Sequence, residues 1–371
     1  MQIQFSAFLP QLERLRAALA EDIGPGDVTS EALLSETQTA KARYVARSDG
    51  VVAGLPLIPI FLQLCGATPA MTEVLAKLMQ ALNLPPAASK ETAAAGPGDF
   101  VIEAFADGLD AGGEVQVRID ATNTFQIKWL TKDGKKVRAG QALAEVFGPA
   151  RALLAAERVS LNLLQRLSGI ATLTRSYVDA VQGTGARILD TRKTFPLWRD
   201  LEKYAVRMGG GFNHRMGLYD EVMIKDNHLG FSGLAPADAV RKIRAAAPDK
   251  FLVVELDALD TLEAVLDARP DTILLDNMPA EVLREAVARR RSWANKLGLV
   301  RGVDDSVLRD RQFHSAEDIA AAKLGWPLFE SSGGVNLDTV RAKAESGVER
   351  ISVGAITHSA GSLDIGLDLE V

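Results

Sequence analysis

Cysteine is nearly absent from this 371-residue chain. Cys65 stands alone, so no internal disulfide can form, which favours a reducing compartment; a small buried apolar side chain is its plainest role. An excess of positive charge is lacking too. Lys and Arg number 42 against 48 Asp and Glu, a formal net charge of −6, which gives no overall basic character for nucleic acid. Nor is there a convincing membrane span. No charge falls between Asp49 and Glu73, but that stretch holds Pro56, Pro59 and Pro69. A proline inside a helix costs about 3 kcal/mol, so a turn and a short buried helix fit better. The opening MQIQFSAFLPQLERLRAALAED has neither a basic leader nor a small-residue cleavage site, and reads as the mature start of a cytoplasmic protein.

What is present is an ordinary globular composition, 47% hydrophobic and 24% charged, with room for two domains. Residues 8–20 have helical period, DIGPGDVTS (22–30) reads as a loop, and KARYVARSDGVVAG (41–54) suits a strand and turn. Residues 66–115 are the least regular part, and PPAASKETAAAGPGD (85–99) resembles a surface insertion. WLTKDGKKVRAGQALAEVFGPARAL (129–153) shows short alternating runs parted by DG and AG turns. Biotinyl and lipoyl carriers use similar spacing, but Lys132, Lys135 and Lys136 lack the neighbours a modified lysine needs. A long helical pattern covers 151–182, with a break expected near Ser168-Gly169.

The second half has a regular rhythm. ILDTRK (188–193), VMIKDN (222–227), LVVELD (252–257), TILLDN (272–277), LFESSGG (328–334) and ISVGA (351–355) read as strands. Helical segments alternate with them at 198–208, 235–247, 259–268, 279–290 and 336–346. Each strand is apolar in its body, as burial on both faces requires, and polar or glycine-bearing at its C-terminal tip. Repeated βα units with charge at the strand ends describe a barrel with an active site at one mouth, hence an enzyme. Six strands are fewer than the eight of a full barrel, so an incomplete barrel and an open doubly wound sheet both fit. Residues 291–324 interrupt the rhythm and read as an insertion.

Between Arg187 and His228, eight Lys and Arg stand against six Asp and Glu, the reverse of the overall balance. A single cation there is ordinarily a solvated rim residue. Arg192, Lys193 and Lys225 end two strands, however, and His214-Arg215 lies in the connection between them, so all five converge in any barrel. Such a mouth suits a substrate with several carboxylates or phosphates, which Arg grips bidentately. Glu255 and Asp276 end the next two strands and offer the hard oxygen donors that Mg2+ takes, although each alone is equally a rim residue or helix cap. GGGF (209–212) follows a helix rather than a strand and is a weak nucleotide signal. SSGG (331–334) and VGAI (353–356) follow the last two strands, the usual phosphate position in barrels.

The run ERVSLNLLQRLSGIATLT, with GTGARILDTRKT, LEKYAVRMGGGFNHRMGLYDEVMIKDNH, ILLDNM, ESSGGV and ISVGAITHS, closely resembles the bacterial quinolinate phosphoribosyltransferase family. EDIGPGDVTS and the closing LDIGLDLE are similar to it as well, and the resemblance covers 1–65 and 116–371 apart from the segment around 291–324. It implies an α/β chain: an N-terminal α/β sandwich domain (1–150, with an insertion near 66–115), then an incomplete six-stranded α/β barrel (151–371). The last residues would return to the first domain, and two copies would pair as a homodimer. It also implies that quinolinate, 5-phosphoribosyl-1-pyrophosphate and Mg2+ react to give nicotinate mononucleotide, pyrophosphate and CO2 in NAD biosynthesis.

By position, the resemblance places Thr191, Arg192, Lys193, His214 and Arg215 around quinolinate, with Lys225 completing the pocket. It sets Glu255 and Asp276 against the ribose and its metal, with Lys193 beside them in the chemistry. Ser332, Gly333, Gly334, Val353, Gly354 and Ala355 would hold the phosphate, and Arg158 would reach into the partner's site. FPLW (195–198) departs from the family, which often has a glycine-containing turn there. Two other readings stand beside this one. An enzyme for nicotinate or another pyridine carboxylate needs fewer cations than Arg158, Arg192, His214, Arg215 and Lys225 provide. A non-catalytic homologue would normally have lost an active-site charge, and none is missing.

Overall fold

The computed structural model describes residues 11–66, 114–118, 124–299 and 327–370. Contacts divide the chain into two units, Met1–Thr172 with Gly361–Val371, and Leu173–Ala360. In chain order the strands are β1 (Thr39–Ala46), β2 (Gly50–Val51), β3 (Glu114–Arg118), β4 (Thr124–Trp129), β5 (Lys136–Val137) and β6 (Ala142–Pro149). Then follow β7 (Arg187–Leu189), β8 (Val222–Ile224), β9 (Leu252–Leu256), β10 (Thr272–Asp276), β11 (Leu328–Ser332), β12 (Arg350–Ser352) and β13 (Ile365–Glu370).

In the first unit, five strands form an antiparallel sheet in the order β13-β1-β6-β4-β3, so the last strand pairs with the first. The helix Leu12–Ile23 buries Leu12, Leu15 and Leu19, one stripe of its surface. The loop expected over 22–30 is shorter than its sequence suggests. Asp27 accepts the Ser30 N–H at 3.0 Å and caps a helix over Val28–Leu33. The uncharged stretch after Asp49 becomes β2, a turn and the helix Leu57–Gly66, in which Leu57, Ile58, Phe61 and Leu62 are buried. Among the described residues, no helix is long and apolar enough to cross a membrane. Cys65 is half-buried, and burial pushes its thiol up to about 12.

The helix over Ala150–Ala180 runs unbroken, which corrects the break expected near Ser168-Gly169. These residues are small because of what passes over them. A Cβ on Gly169 would stand 1.9 Å from the Gly361 carbonyl oxygen, and Ser168 Oγ accepts the Ala53 N–H at 3.0 Å. The glycine marks a close backbone approach rather than a helix end. The contact division, at Thr172, falls inside this helix.

In the second unit, β7 to β12 form one parallel sheet in the order β7-β12-β11-β10-β9-β8. That order is chain order closed into a ring, with one seam between β7 and β8. A doubly wound sheet would instead reverse direction from a switch point, so the arrangement is that of an incomplete barrel. At the seam, Phe212 bridges Leu189 in parallel; its N–H reaches the Ile188 carbonyl at 2.8 Å and its carbonyl accepts the Asp190 N–H at 3.0 Å. Helices at Arg199–Met208, Pro236–Ala246, Leu262–Ala268, Ala280–Lys296 and Leu337–Ala344 follow the expected alternation. The fourth continues past 290 and takes in the start of the expected insertion at 291–324, whose residues from 300 onward lie outside the described ones. The segment 66–115 also lies outside them, except residues 66, 114 and 115.

Candidate active site

All six barrel strands open on one cavity of about 550 Å³. Arg192, Lys193, His214, Arg215 and Lys225 line it, with Thr191. Facing them are Glu255 and Asp276, and beyond these Ser332, Gly333 and Gly334. Met223, Leu274, Asn277, Glu330 and Ser352 line it as well, and none of these five was singled out from the sequence. Arg158, Val353, Gly354 and Ala355 are not among the lining residues.

Two loops carry four of these five basic residues, and a buried ion pair joins them. Asp190 directly follows β7 and Lys203 lies on the helix Arg199–Met208; both are essentially without exposed surface, and Lys203 Nζ bonds Asp190 Oδ1. The same carboxylate accepts the His214 N–H at 2.8 Å and Asn213 Nδ2 at 2.6 Å, while Lys203 Nζ also donates to the His214 carbonyl at 2.8 Å. Desolvation draws both groups toward their neutral forms, raising Asp190 and lowering Lys203, against the mutual attraction of the pair. Arg199 adds a second tie: its Nε reaches Thr194 Oγ1 at 3.0 Å and its Nη1 the Met216 carbonyl at 2.9 Å.

Within the second loop, Arg215 donates its N–H to His214 Nδ1 at 2.8 Å and its Nη1 to the Glu221 carbonyl at 3.2 Å. Burial, then the neighbouring Arg192 charge, lowers the Arg215 guanidinium from its ordinary value. A second cation repelling it inside a half-enclosed cavity is the arrangement an anion relieves.

Lys225 Nζ meets Glu255 Oε2 at 2.6 Å. The Glu255 side chain is only 9% exposed, and burial raises its carboxyl despite Lys225. Oxygens of Glu255, Asp257 and Asp276 lie within 4.8 Å of one another, a cluster of hard donors from two adjacent strand ends with the composition of a metal-ion site. Asp257 joins here the two acids picked from the sequence. Asn277 Nδ2 bonds Asp276 Oδ2 at 2.6 Å and so braces it.

The glycines after β11 have a visible reason. Gly333 and Gly334 take φ of 79° and 59°, and a Cβ on Gly333 would stand 2.1 Å from Asn277 Oδ1. Asn277 itself sits at φ 53° and donates its N–H to the Ser332 carbonyl at 3.0 Å. The residues after β12 behave differently. Val353 is buried and gives its N–H to the Leu189 carbonyl at 2.9 Å, extending the β12–β7 pairing. A Cβ on Gly354 would stand 2.9 Å from Lys193 Cδ, so this glycine makes room for a lysine. Leu197, in the FPLW departure, takes φ 69°, a conformation that glycine adopts without the steric penalty. Arg158 lies on the helix Ala150–Ala180 with its side chain 59% exposed, 3.8 Å from Glu157.

Comparison with known proteins agrees with this geometry. A family model described as the quinolinate phosphoribosyl transferase C-terminal domain matches residues 170–368, and one for the N-terminal domain matches residues 88–168. The chain is 43% identical over 262 residues to a nicotinate-nucleotide pyrophosphorylase (carboxylating) of Mycobacterium leprae, covering 71% of this chain and 81% of that one. It is 34% identical over 350 residues to a probable nicotinate-nucleotide pyrophosphorylase (carboxylating) of Bacillus subtilis, covering 94% and 90%. A solved nicotinate-nucleotide pyrophosphorylase from Francisella tularensis superposes with a TM-score of 0.68 at 28% identity, over 100% of this chain and 98% of that one.

Proposed function

The chain belongs to the quinolinate phosphoribosyltransferase family, and from that premise we infer that it is a pentosyltransferase. It transfers phosphoribosyl from 5-phosphoribosyl-1-pyrophosphate to quinolinate, with loss of CO2, and makes nicotinate mononucleotide in NAD biosynthesis. The observation that carries this reading is the meeting of Arg192, Lys193, His214, Arg215 and Lys225 with Glu255 and Asp276 in one cavity. Quinolinate is a dianion and the sugar donor a polyanion, so their approach needs concentrated positive charge.

Arg192 and Arg215 are assigned to the two carboxylates, with His214 as part of the same wall and Lys225 closing it. Lys193 is assigned between a carboxylate and the pyrophosphate. Ser332, Gly333 and Gly334 face the phosphate end, and Gly354 and Ala355 flank it beside Lys193. The ring nitrogen attacks C1 of the ribose as the C1–O bond to pyrophosphate breaks. The C–CO2 bond beside the new glycosidic nitrogen then cleaves, CO2 leaves, and the ring carbon takes a proton. The positive ring nitrogen stabilises the electron pair left behind. Among the described residues no covalent nucleophile is required: the chain orients two anions and screens their charge.

Glu255, Asp257 and Asp276 would hold Mg2+, which when bound neutralises charge on the donor's pyrophosphate. Two copies are proposed to pair as a homodimer, with Arg158 of each completing the other's site; its exposed side chain supports this. A cytoplasmic place follows from the lone cysteine and the substrates. Incubating purified protein with quinolinate, 5-phosphoribosyl-1-pyrophosphate and Mg2+ should yield CO2 and nicotinate mononucleotide together. Absence of both products would overturn the assignment, and turnover of nicotinate in preference to quinolinate would move it to the single-carboxylate alternative.

A further inference from the structure

Glu330 sits in the middle of β11 with no exposed surface, a carboxylate in a strand body otherwise packed for burial. It lines the cavity floor, yet nothing in the reaction above uses it. Two basic side chains face it. Arg350 places Nε 2.8 Å from one carboxylate oxygen, and His214 places Nε2 3.3 Å from the other. Ser352 stands beside the same carboxylate, and the hold of Glu330 on the two basic groups is chiefly electrostatic. Burial would raise this carboxyl, but the facing His214 and Arg350 outweigh it and hold it at about 2.

The opposite edge of the imidazole is also engaged. Nδ1 accepts the backbone N–H of Arg215 at 2.8 Å and lies 3.4 Å from Glu221 Oε2. Arg350, Glu330, His214 and the Arg215 backbone thus form a chain of contacts across the barrel floor. It ends at the residue whose guanidinium faces the substrate. Both ring nitrogens of His214 face protein, which makes the imidazole a spacer between a buried anion and Arg215.

We propose that Glu330 is a positioning residue: acting through His214, it sets Arg215 on the cavity wall and so governs the grip on one substrate carboxylate. The proposal rests on the assignment of this cavity to a pyridine dicarboxylate. Its effect is selective, because the acids of the proposed metal site come from β9 and β10, outside this chain of contacts.

The test is Glu330→Gln, which keeps shape and removes charge. Steady-state kinetics are run with each substrate varied in turn, beside thermal unfolding. KM for quinolinate should rise about tenfold, the order of one misplaced charge-assisted hydrogen bond, while KM for 5-phosphoribosyl-1-pyrophosphate stays within about twofold. Because Gln leaves the Arg350 charge buried and uncompensated, the double variant Glu330→Gln/Arg350→Met is read in the same way. Adding His214→Asn to Glu330→Gln should raise KM no further than the larger single change. Equal rises in both KM values, additive effects, or an unchanged quinolinate KM in a folded variant would overturn the proposal. Calorimetric titration with quinolinate alone separates it from the reaction. A wild type that binds but does not turn over sinks the reaction. A Glu330→Gln protein that binds as tightly as wild type sinks the proposal, and a wild type that does not bind sinks both.

Discussion

Lys203 holds Asp190 in a pair that is buried on both sides, and the pair joins the end of β7 to the His214-Arg215 loop. The contact closes a gap that the sheet leaves open, since β7 and β8 form the seam of the barrel. Only the short backbone bridge of Phe212 to β7 spans the seam among the described residues, so side chains add much of what holds the two cation-bearing segments together.

Removing one partner should therefore be costly in two ways. A buried charge left alone typically costs about 3–5 kcal/mol, so Lys203→Met should lower the unfolding free energy by that order and the denaturant midpoint with it. Asp190→Asn should be as severe, because Asp190 also accepts the His214 N–H. In whatever fraction stays folded, quinolinate affinity should fall more than donor affinity. Denaturant titration and two-substrate kinetics check both. A stable Lys203→Met protein with unchanged kinetics would mean the pair does not organise the site.

Gly354 lies at an ordinary φ of −66°, so its lack of a side chain answers to space rather than to backbone conformation. Ala there would press on Lys193 Cδ at 2.9 Å and on the His358 ring at 3.2 Å. Gly354→Ala should keep the fold and lower kcat about ten- to a hundredfold by displacing Lys193. The same change made in Lys193→Ala should cost little more, because the displaced group is already gone. Equal losses in both backgrounds would return Gly354 to a direct phosphate role.

Acid stability should report on Glu330. Its carboxyl is held at about 2 in the fold against an ordinary 4.5, so the folded state binds that proton less readily than the unfolded chain. The contribution is fully present above about pH 4.5 and is lost as pH falls toward 2, on the order of 3 kcal/mol in all. Urea midpoints measured from about pH 5 to about pH 3 should fall more steeply for wild type than for Glu330→Gln. Parallel slopes would contradict the assignment.

The proposed Mg2+ site makes a separate forecast. Glu255→Gln and Asp276→Asn should raise the Mg2+ concentration needed for half-maximal rate and lower turnover, with Asp257→Asn milder because it lies at an exposed position. Wild-type rates at low Mg2+ in either of the first two variants would remove the metal from these residues.

Strand tips were legible because a parallel strand buried on both faces excludes charge from its body, so Lys225, Glu255 and Asp276 stand out where each strand ends. The same rule, applied strictly, flags Glu330, a charge two residues before the tip of LFESS. Its partners, Arg350 and His214, lie far away in sequence, and no local pattern ties them to it. Asp190 and Lys203 read as a strand end and an ordinary helix residue for the same reason. Gly169 misled in the opposite direction. Glycine lowers helix propensity, which suggested a break, whereas the helix needs it to pass the backbone at Gly361. Val353 followed a glycine-rich pattern, but its N–H completes the β12–β7 edge instead.

Arg158 poses the question of how many chains make one site. It lies on the helix Ala150–Ala180, its side chain is 59% exposed, and it does not line the cavity of its own barrel. An arginine that only pairs with Glu157 at 3.8 Å contributes little, since exposed ion pairs are typically worth less than about 1 kcal/mol. Arg158→Ala should then leave stability nearly unchanged, whichever role the residue plays. Activity separates the two roles. If a second copy of the chain receives Arg158, Arg158→Ala and Lys193→Ala proteins should each be inactive alone and recover activity once mixed and allowed to exchange subunits. In such a hybrid, one of the two sites carries both intact residues, so recovery should approach about a quarter of the wild-type rate, as half the dimers are hybrids with one working site each. Mass-resolved subunit exchange without recovered activity would mean that each chain builds its site alone.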